Sequence, residues 1–374
     1  MKRAAGLIFA DSYDVELDKL TDKRTLAAVP FGGRYRVIDF SLSNMVNAGI
    51  RNVGIVMTHR YGSLMNHVKY GGTWDLTRKE NGLTYLPPCA YDNNSIIYEN
   101  RLEGIQANLP YIRQMNEDYV IMTCCNYVSN LDLNAALQFH IRSGAKITGL
   151  YTKNPRNKQS TVEFTEYRVD PHQMITEVKF GDGALDAGMV TAMNIYIINR
   201  DYLVEMAEKT EQESKKSFRR DVLYPTIQEK QAMGYEITET MLFLDTISGY
   251  MKSNLELLDP SIRNELFRNP DRPVMTKVKD SAPSRYGKDA VATNSIIADG
   301  AVIEGEVHNS IIFRGVRIKK NAIVENSIIM QDTTVGEGVR LNYAVLDKNV
   351  IINDGRMLSG YITHPFYVEH RTII

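Results

Sequence analysis

Of 374 residues only three are cysteine, Cys89, Cys124 and Cys125, and only one is tryptophan. Three thiols cannot build a disulfide framework, and adjacent Cys124 and Cys125 lack the spacing of a zinc knuckle or a redox pair. They read as small buried apolar residues of a reducing compartment. No run approaches the ~18 apolar residues of a membrane span. Met1-Lys2-Arg3 followed by Ala4–Ala10 mimics a short signal peptide, yet the apolar run stops at Asp11 without a cleavage pattern, so a first strand is predicted. Neither sign of charge is in excess: 44 Lys and Arg oppose 45 Asp and Glu, for a net charge of -1. That balance gives no general drive towards nucleic acid or an anionic membrane. The seven histidines are scattered without ligand spacing, and His59, His67 and His140 read as packing or surface residues. What remains is a cytoplasmic, globular chain, 43% apolar and 24% charged, long enough for two domains.

The two parts follow different patterns. Up to about Leu258, Ala4–Ala10, Val53–Thr58, Tyr119–Thr123, Lys146–Tyr151 and Ala192–Ile198 read as strands, several too continuously apolar for a one-sided sheet. Between them Asp39–Ala48, Ile97–Met115, Asp132–Arg142, Asp201–Lys209 and Asp221–Met233 read as helices, with Asp39, Asp132 and Asp201 placed as N-caps. This alternation predicts an α/β domain over residues 1–258, with a mostly parallel sheet covered on both faces. Residues 259–290, with Pro260, Pro270, Pro273 and Pro283 among charges, read as a linker.

Over residues 291–374 a repeat takes over. Asn294-Ser295-Ile296-Ile297 recurs as Asn309-Ser310-Ile311-Ile312 and Asn326-Ser327-Ile328-Ile329, with a looser copy from Asn342 to Leu346. Branched residues stand six apart, as in Ile312, Ile318, Val324 and in Ile329, Val335, Leu341, while Ile312, Ile329 and Leu346 stand 17 apart. Six residues per flat face and three faces per coil describe a parallel β-helix of hexapeptide-type repeats. Gly300, Gly305, Gly315 and Gly336 fall at its corners.

The segment from Ala28 to Asn44, AVPFGGRYRVIDFSLSN, is similar to the A-V-P-F-G-G-K-Y-R-x-I-D-F-x-L-S-N signature of bacterial glucose-1-phosphate adenylyltransferases (ADP-glucose pyrophosphorylases). Ser63-Leu64 with His67, Gly72-Thr73-Trp74-Asp75-Leu76, Leu86-Pro87-Pro88, Lys277-Val278-Lys279-Asp280 and Phe313–Ile318 look like further segments of that family in the same order. The resemblance covers nearly the whole chain. It implies a Rossmann-like nucleotidyltransferase domain followed by a left-handed β-helix.

The departures from the family pattern carry the functional expectation. Where active members resemble one another in L-A-G-G-x-G-T-R-L, this chain reads Phe9-Ala10-Asp11-Ser12-Tyr13-Asp14-Val15-Glu16-Leu17. Glycines that let backbone N–H groups reach the nucleotide phosphates become Asp11, Ser12 and Asp14, and the phosphate-neutralising Arg becomes Glu16. Each carboxylate set ~4 Å from a phosphate charge costs about 4 kcal/mol at a near-surface dielectric. No glycine lies between Leu7 and Phe31, so sliding the alignment recovers no phosphate loop. The resemblance further implies two magnesium-binding aspartates. Asn126 stands at the first and Phe243 at the second, while a two-residue slip would instead offer Asp245. The family's K-G-T-A-D-A segment corresponds to Asn100-Arg101-Leu102-Glu103-Gly104, its phosphate-binding lysine falls near Lys179, and Asn194 replaces a glycine of the sugar-binding strand.

One cluster matches the family's phosphate-bearing effector pocket: Thr21, Lys23, Arg24 and Arg36, with Leu26 where a further lysine would stand. It reads either as a site for a sugar bisphosphate or nucleotide monophosphate, or as a solvated basic turn. The resemblance thus implies a noncatalytic, GlgD-type regulatory subunit that needs no cofactor of its own. Its partner would be the Mg²⁺-using catalytic subunit, joined in a hetero-oligomer, usually a tetramer, serving glycogen synthesis. The alternatives are a weak adenylyltransferase using Asp245, a scaffold without effect on rate, and a β-helix acyltransferase. The last is disfavoured because His308, the only histidine inside the repeats, lies in an irregular spacer. Self-association through the β-helix ends and the apolar stretch Pro365–Ile374 is also expected.

Overall fold

The computed structural model describes residues 3–11, 17–88, 90–91, 94–95, 98–154, 164–181 and 187–374. Nine strands form the first sheet: β1 (Ala4–Phe9), β2 (Val53–Val56), β3 (Leu83–Leu86), β4 (Tyr119–Cys124), β5 (Ile147–Thr152), β6 (Phe164–Val169), β7 (Ile175–Gly181), β8 (Val190–Asn199) and β9 (Ala232–Glu236). Their order is β7-β6-β8-β4-β1-β2-β3, with β5 and β9 extending from β8. Strands β4, β1, β2 and β3 run parallel, whereas β8 pairs antiparallel with β4, β5 and β6. The continuous apolar run of β1 follows from burial on both faces. Ala5, Leu7 and Phe9 enter one core, and Ala4, Ile8 and Ala10 enter the other.

The helices are α1 (Val37–Asn47), α2 (Gly62–Val68), α3 (Arg101–Ala107), α4 (Leu109–Arg113), α5 (Leu133–Ser143), α6 (Arg200–Gln212), α7 (Tyr224–Gln228), α8 (Ile247–Leu255) and α9 (Pro260–Phe267). Asp132 caps α5 through the Ala135 amide, as expected. Asp39 and Asp201 instead lie inside the first turns, and the Asp39 carboxylate accepts from the Arg36 amide at 3.0 Å. The helix expected over Ile97–Met115 is two helices. Asn108 ends the first by donating to the Gly104 carbonyl, and Pro110 starts the second. The helix expected over Asp221–Met233 begins as a π-helical turn, Phe218–Leu223, and ends before Met233, which belongs to β9.

The second part consists of three parallel sheets of five strands each, wound as a β-helix. Ile312 pairs with Ile329 and Ile329 with Leu346, while Ile318 pairs with Val335 and Val335 with Ile352. These residues are fully buried, each contributing about 1.5–3 kcal/mol of apolar burial. The polar half of the repeat has its own role. Asn294, Asn309 and Asn326 take left-handed corners at φ 43°, 48° and 48°. Below them the serine hydroxyls form a ladder: Ser295 accepts from the Ser310 amide, Ser310 from the Ser327 amide and Ser327 from the Ala344 amide. Gly305 is obligatory, since a Cβ there would stand 2.3 Å from the Ala322 carbonyl oxygen.

Residues 259–277 are packed against the α/β part. Asp259 caps α9, which buries Ile262 and Leu266. The extended chain beyond it bonds to α1, with the Met275 amide donating to Ser43 and the Thr276 hydroxyl to Asp39. The first β-helix strand is Arg285–Tyr286, ahead of residue 291. The two parts meet along the family signature. Gly32 and Gly33 turn at φ +57° and +84°, and a Cβ on Gly33 would meet Ile296 at 3.4 Å. On its other side the signature is held by the α/β part and α9: the Tyr35 ring stacks on Phe267 at 4.8 Å, and the Tyr250 hydroxyl donates to the Pro30 carbonyl at 2.7 Å.

Candidate functional site

In an open α/β sheet the ligand crevice lies beyond the carboxyl ends of the parallel strands. Here that edge carries Phe9 and Cys124, followed by Asp11 and Asn126. Asp11 turns inward: its carboxylate accepts from the Leu26 amide at 3.1 Å and from the Thr58 hydroxyl at 2.6 Å. Burial pushes its pKa up, against the opposing effect of those hydrogen bonds. An acidic side chain thus closes the strand-one turn onto its neighbours. Ser12, Asp14 and Glu16 lie outside the described residues.

Asn126 and Phe243 come together. Tyr127–Val128 pairs antiparallel with Leu242–Phe243, placing Phe243 opposite Tyr127, and the Leu244 amide donates to the Asn126 carbonyl at 2.9 Å. The Asn126 side-chain oxygen accepts from the Cys124 thiol at 2.8 Å, and Phe243 is buried in the apolar core. Asp245 follows, also buried, just before Thr246, which caps α8. A hard dication prefers charged oxygen ligands, and an amide with a buried phenyl ring does not supply them. Among the described residues no cluster of three or more His, Cys, Asp or Glu could hold a metal ion. The residues at this pair of positions therefore do not fit the family's magnesium.

On the sugar side, Asn194 keeps a glycine-like backbone at φ +55°, where the pairing of β5 with β8 shifts register. Its side-chain oxygen accepts from the Tyr196 hydroxyl at 3.2 Å. Lys179 lies on the edge strand β7, opposite Glu166 and 3.9 Å from Glu177. Arg101, at the first position of α3, has its guanidinium carbon 5.3 Å from both the Phe9 and the Tyr196 ring centroids. Its role went unread, although an arginine at a family glycine was the available signal.

The basic cluster divides. Lys23 is exposed, and Thr21 gives its carbonyl to Arg60 at 3.1 Å. Arg24 is buried, and its Nη2 donates to both Asp347 carboxylate oxygens at 2.9 and 2.8 Å, with Tyr367 donating to the same carboxylate at 3.0 Å. Arg36 donates to the carbonyl and hydroxyl of Ser63, and burial lowers its pKa to about 10. Lys348, half-buried beside them, has its pKa lowered to about 7 by burial, then by Arg36 and Arg24, and further by Lys279. Lys348 and Asp347, from the β-helix, thus stand beside the basic residues expected on and after one loop.

Residues 15–258 match the nucleotidyl transferase family, and residues 279–360 match a GlmU-like C-terminal hexapeptide family. A glucose-1-phosphate adenylyltransferase of Fervidobacterium nodosum is 29% identical over 95% of this chain and 85% of its own length. Glucose-1-phosphate adenylyltransferases of Bacillus thuringiensis and Bacillus mycoides are 28% and 29% identical, each over 96% of this chain and 95% of the relative. An α/β domain joined to a parallel β-helix is the setting in which these likenesses stand: the chain belongs to the nucleotidyl transferase family, with glucose-1-phosphate adenylyltransferases as its homologues.

Proposed function

We propose that this chain is a noncatalytic regulatory subunit that assembles with a catalytic glucose-1-phosphate adenylyltransferase, as a hetero-oligomer of tetramer type, and raises its rate of ADP-glucose formation for glycogen synthesis. The observation that carries the reading is that Asn126 and Phe243, on neighbouring paired segments, stand where the family resemblance calls for two metal-binding aspartates. Asp11 supports it in another way: it stands where the family resemblance calls for a phosphate-loop glycine, and its carboxylate is tied to the Leu26 amide and the Thr58 hydroxyl. The chain needs no cofactor of its own on this reading. Subunit contacts bias the partner's nucleotide loop towards its competent state, a coupling of about 1–3 kcal/mol.

A phosphate-bearing effector is assigned to the seam between the two parts, where Arg36, Lys348 and the second terminal nitrogen of Arg24 would meet it. That Arg24 Nη1 is buried and has no hydrogen-bond partner among the described residues. Calorimetric titration of the isolated chain with ATP and Mg²⁺ tests the noncatalytic reading. The expected result is no saturable heat. Tight, magnesium-dependent binding would favour a working adenylyltransferase relying on Asp245.

A further inference from the structure

At the amino ends of the parallel strands, opposite the crevice, lies a cavity of about 680 Å³, within the size range of small-molecule sites. It is lined by the start of β1, the turn after α1, the approach to β4 and one side of α5. Ile50, Leu137 and Ile141 give it an apolar wall, the last two standing four apart on α5 and so on one face. Glu117, also in the lining, is only 6% exposed, and no cation pairs with it among the described residues. One of its oxygens accepts from the Asn52 amide at 3.1 Å, and Asn52 accepts from the Tyr111 hydroxyl at 2.9 Å. A buried chain of hydrogen bonds thus ends in a carboxylate at the cavity, where a buried acid ordinarily has a counter-charge.

The same lining holds the opposite charge. Arg51 is fixed by its Nη1, which donates to the Val46 carbonyl at 2.9 Å, while its Nε and Nη2 have no acceptor among the described residues. The Arg3 guanidinium has no hydrogen bond or ion pair among the described residues. The remaining charges are spent or solvated: Arg78 pairs with Asp75, and Glu80 is exposed. An unpaired buried acid, uncommitted guanidinium donors and an apolar wall complement a ligand with an ammonium, a carboxylate and an apolar body.

We propose that this cavity binds an amino acid with a large apolar side chain, its ammonium on Glu117, its carboxylate on Arg51 and Arg3, and its side chain against Ile50, Leu137 and Ile141. The site is independent of whether the crevice at the other end of the sheet is catalytic.

The test follows thermal unfolding of the full chain with L-phenylalanine, 3-phenylpropanoate, which lacks the ammonium, and 2-phenylethylamine, which lacks the carboxylate. Phenylalanine should raise the midpoint saturably, with each half-ligand about tenfold weaker. Glu117→Gln should remove the preference over 3-phenylpropanoate, and Arg51→Met the preference over 2-phenylethylamine. Should Glu117→Gln not fold, the half-exposed Arg51 still supplies a variant, and methyl NMR of the parent chain should show phenylalanine shifting Ile50, Leu137 and Ile141. No saturable response to phenylalanine, equal responses to the three compounds, or preferences unchanged in the variants would overturn the proposal.

Discussion

Arg24→Met should destabilise the chain by breaking the ion pair that joins the α/β part to the β-helix. Both partners are nearly inaccessible, with Arg24 5% and Asp347 1% exposed. Both Asp347 oxygens accept from one Arg24 nitrogen, and the Tyr367 hydroxyl and Lys348 amide complete the shell. Removing the cation leaves a buried carboxylate without its counter-charge, which costs about 3–5 kcal/mol. With about 2.1 cal/mol/K of unfolding entropy per residue acting over the whole chain, the melting temperature should fall by about 4–6 °C. Differential scanning calorimetry measures the shift directly. The double variant Arg24→Met/Asp347→Leu should recover much of the loss, because an apolar pair no longer strands a charge. A single-variant shift below ~1 °C, or a double variant less stable than Arg24→Met, would refute the reasoning.

Sulfate binding at the seam should strengthen as pH falls from about 9 to about 6, since Lys348 titrates near 7 rather than at its ordinary value and an anion favours its charged form. The cations Arg24, Arg36 and Lys279 and the anion Asp347 face it, and Lys348→Met should flatten the pH profile measured by calorimetry. In the absence of anion the sign for stability is opposite to that of a raised lysine. The unfolded chain binds the extra proton, so the contribution of Lys348 to folding grows as pH rises from about 7 towards about 10.5, which denaturant midpoints across that range will show. Ile329→Ala, on the buried ladder between Ile312 and Leu346, should cost about 2–5 kcal/mol by chemical denaturation. Asn326→Ala should cost about 1–2 kcal/mol, because alanine fits its φ of 48° poorly, whereas Asn326→Gly should cost less.

The β-helix was legible almost residue by residue because its period is also its pairing rule. A branched residue 17 places on is the neighbour in the next coil, so Ile312, Ile329 and Leu346 could be stacked from sequence. The asparagines and serines beside them were seen as a motif but not as corner and ladder groups. Backbone conformation and inter-coil hydrogen bonds have no periodic signature of their own.

In the α/β part the buried central strands announced themselves through continuous apolar runs. Helix limits went astray where proline restarts a helix, at Pro110, and where a π-helical turn precedes Pro225. Asn126 and Phe243, the two positions taken from the family motifs, are far apart in sequence, and only the pairing of Tyr127 with Phe243 brings their segments together. Arg24 was grouped with its loop neighbours because nothing local discloses a partner 323 residues away. Lys348 escaped notice for the same reason.

The account turns on whether this chain makes ADP-glucose or makes another subunit better at it. The direct measurement is the rate of ADP-glucose formation from ATP and glucose 1-phosphate, with this chain alone, its catalytic partner alone and the two mixed. No turnover alone, with a mixture faster than the partner by itself, is the predicted result. Robust turnover by this chain alone, or a mixture no faster than the partner, would contradict it.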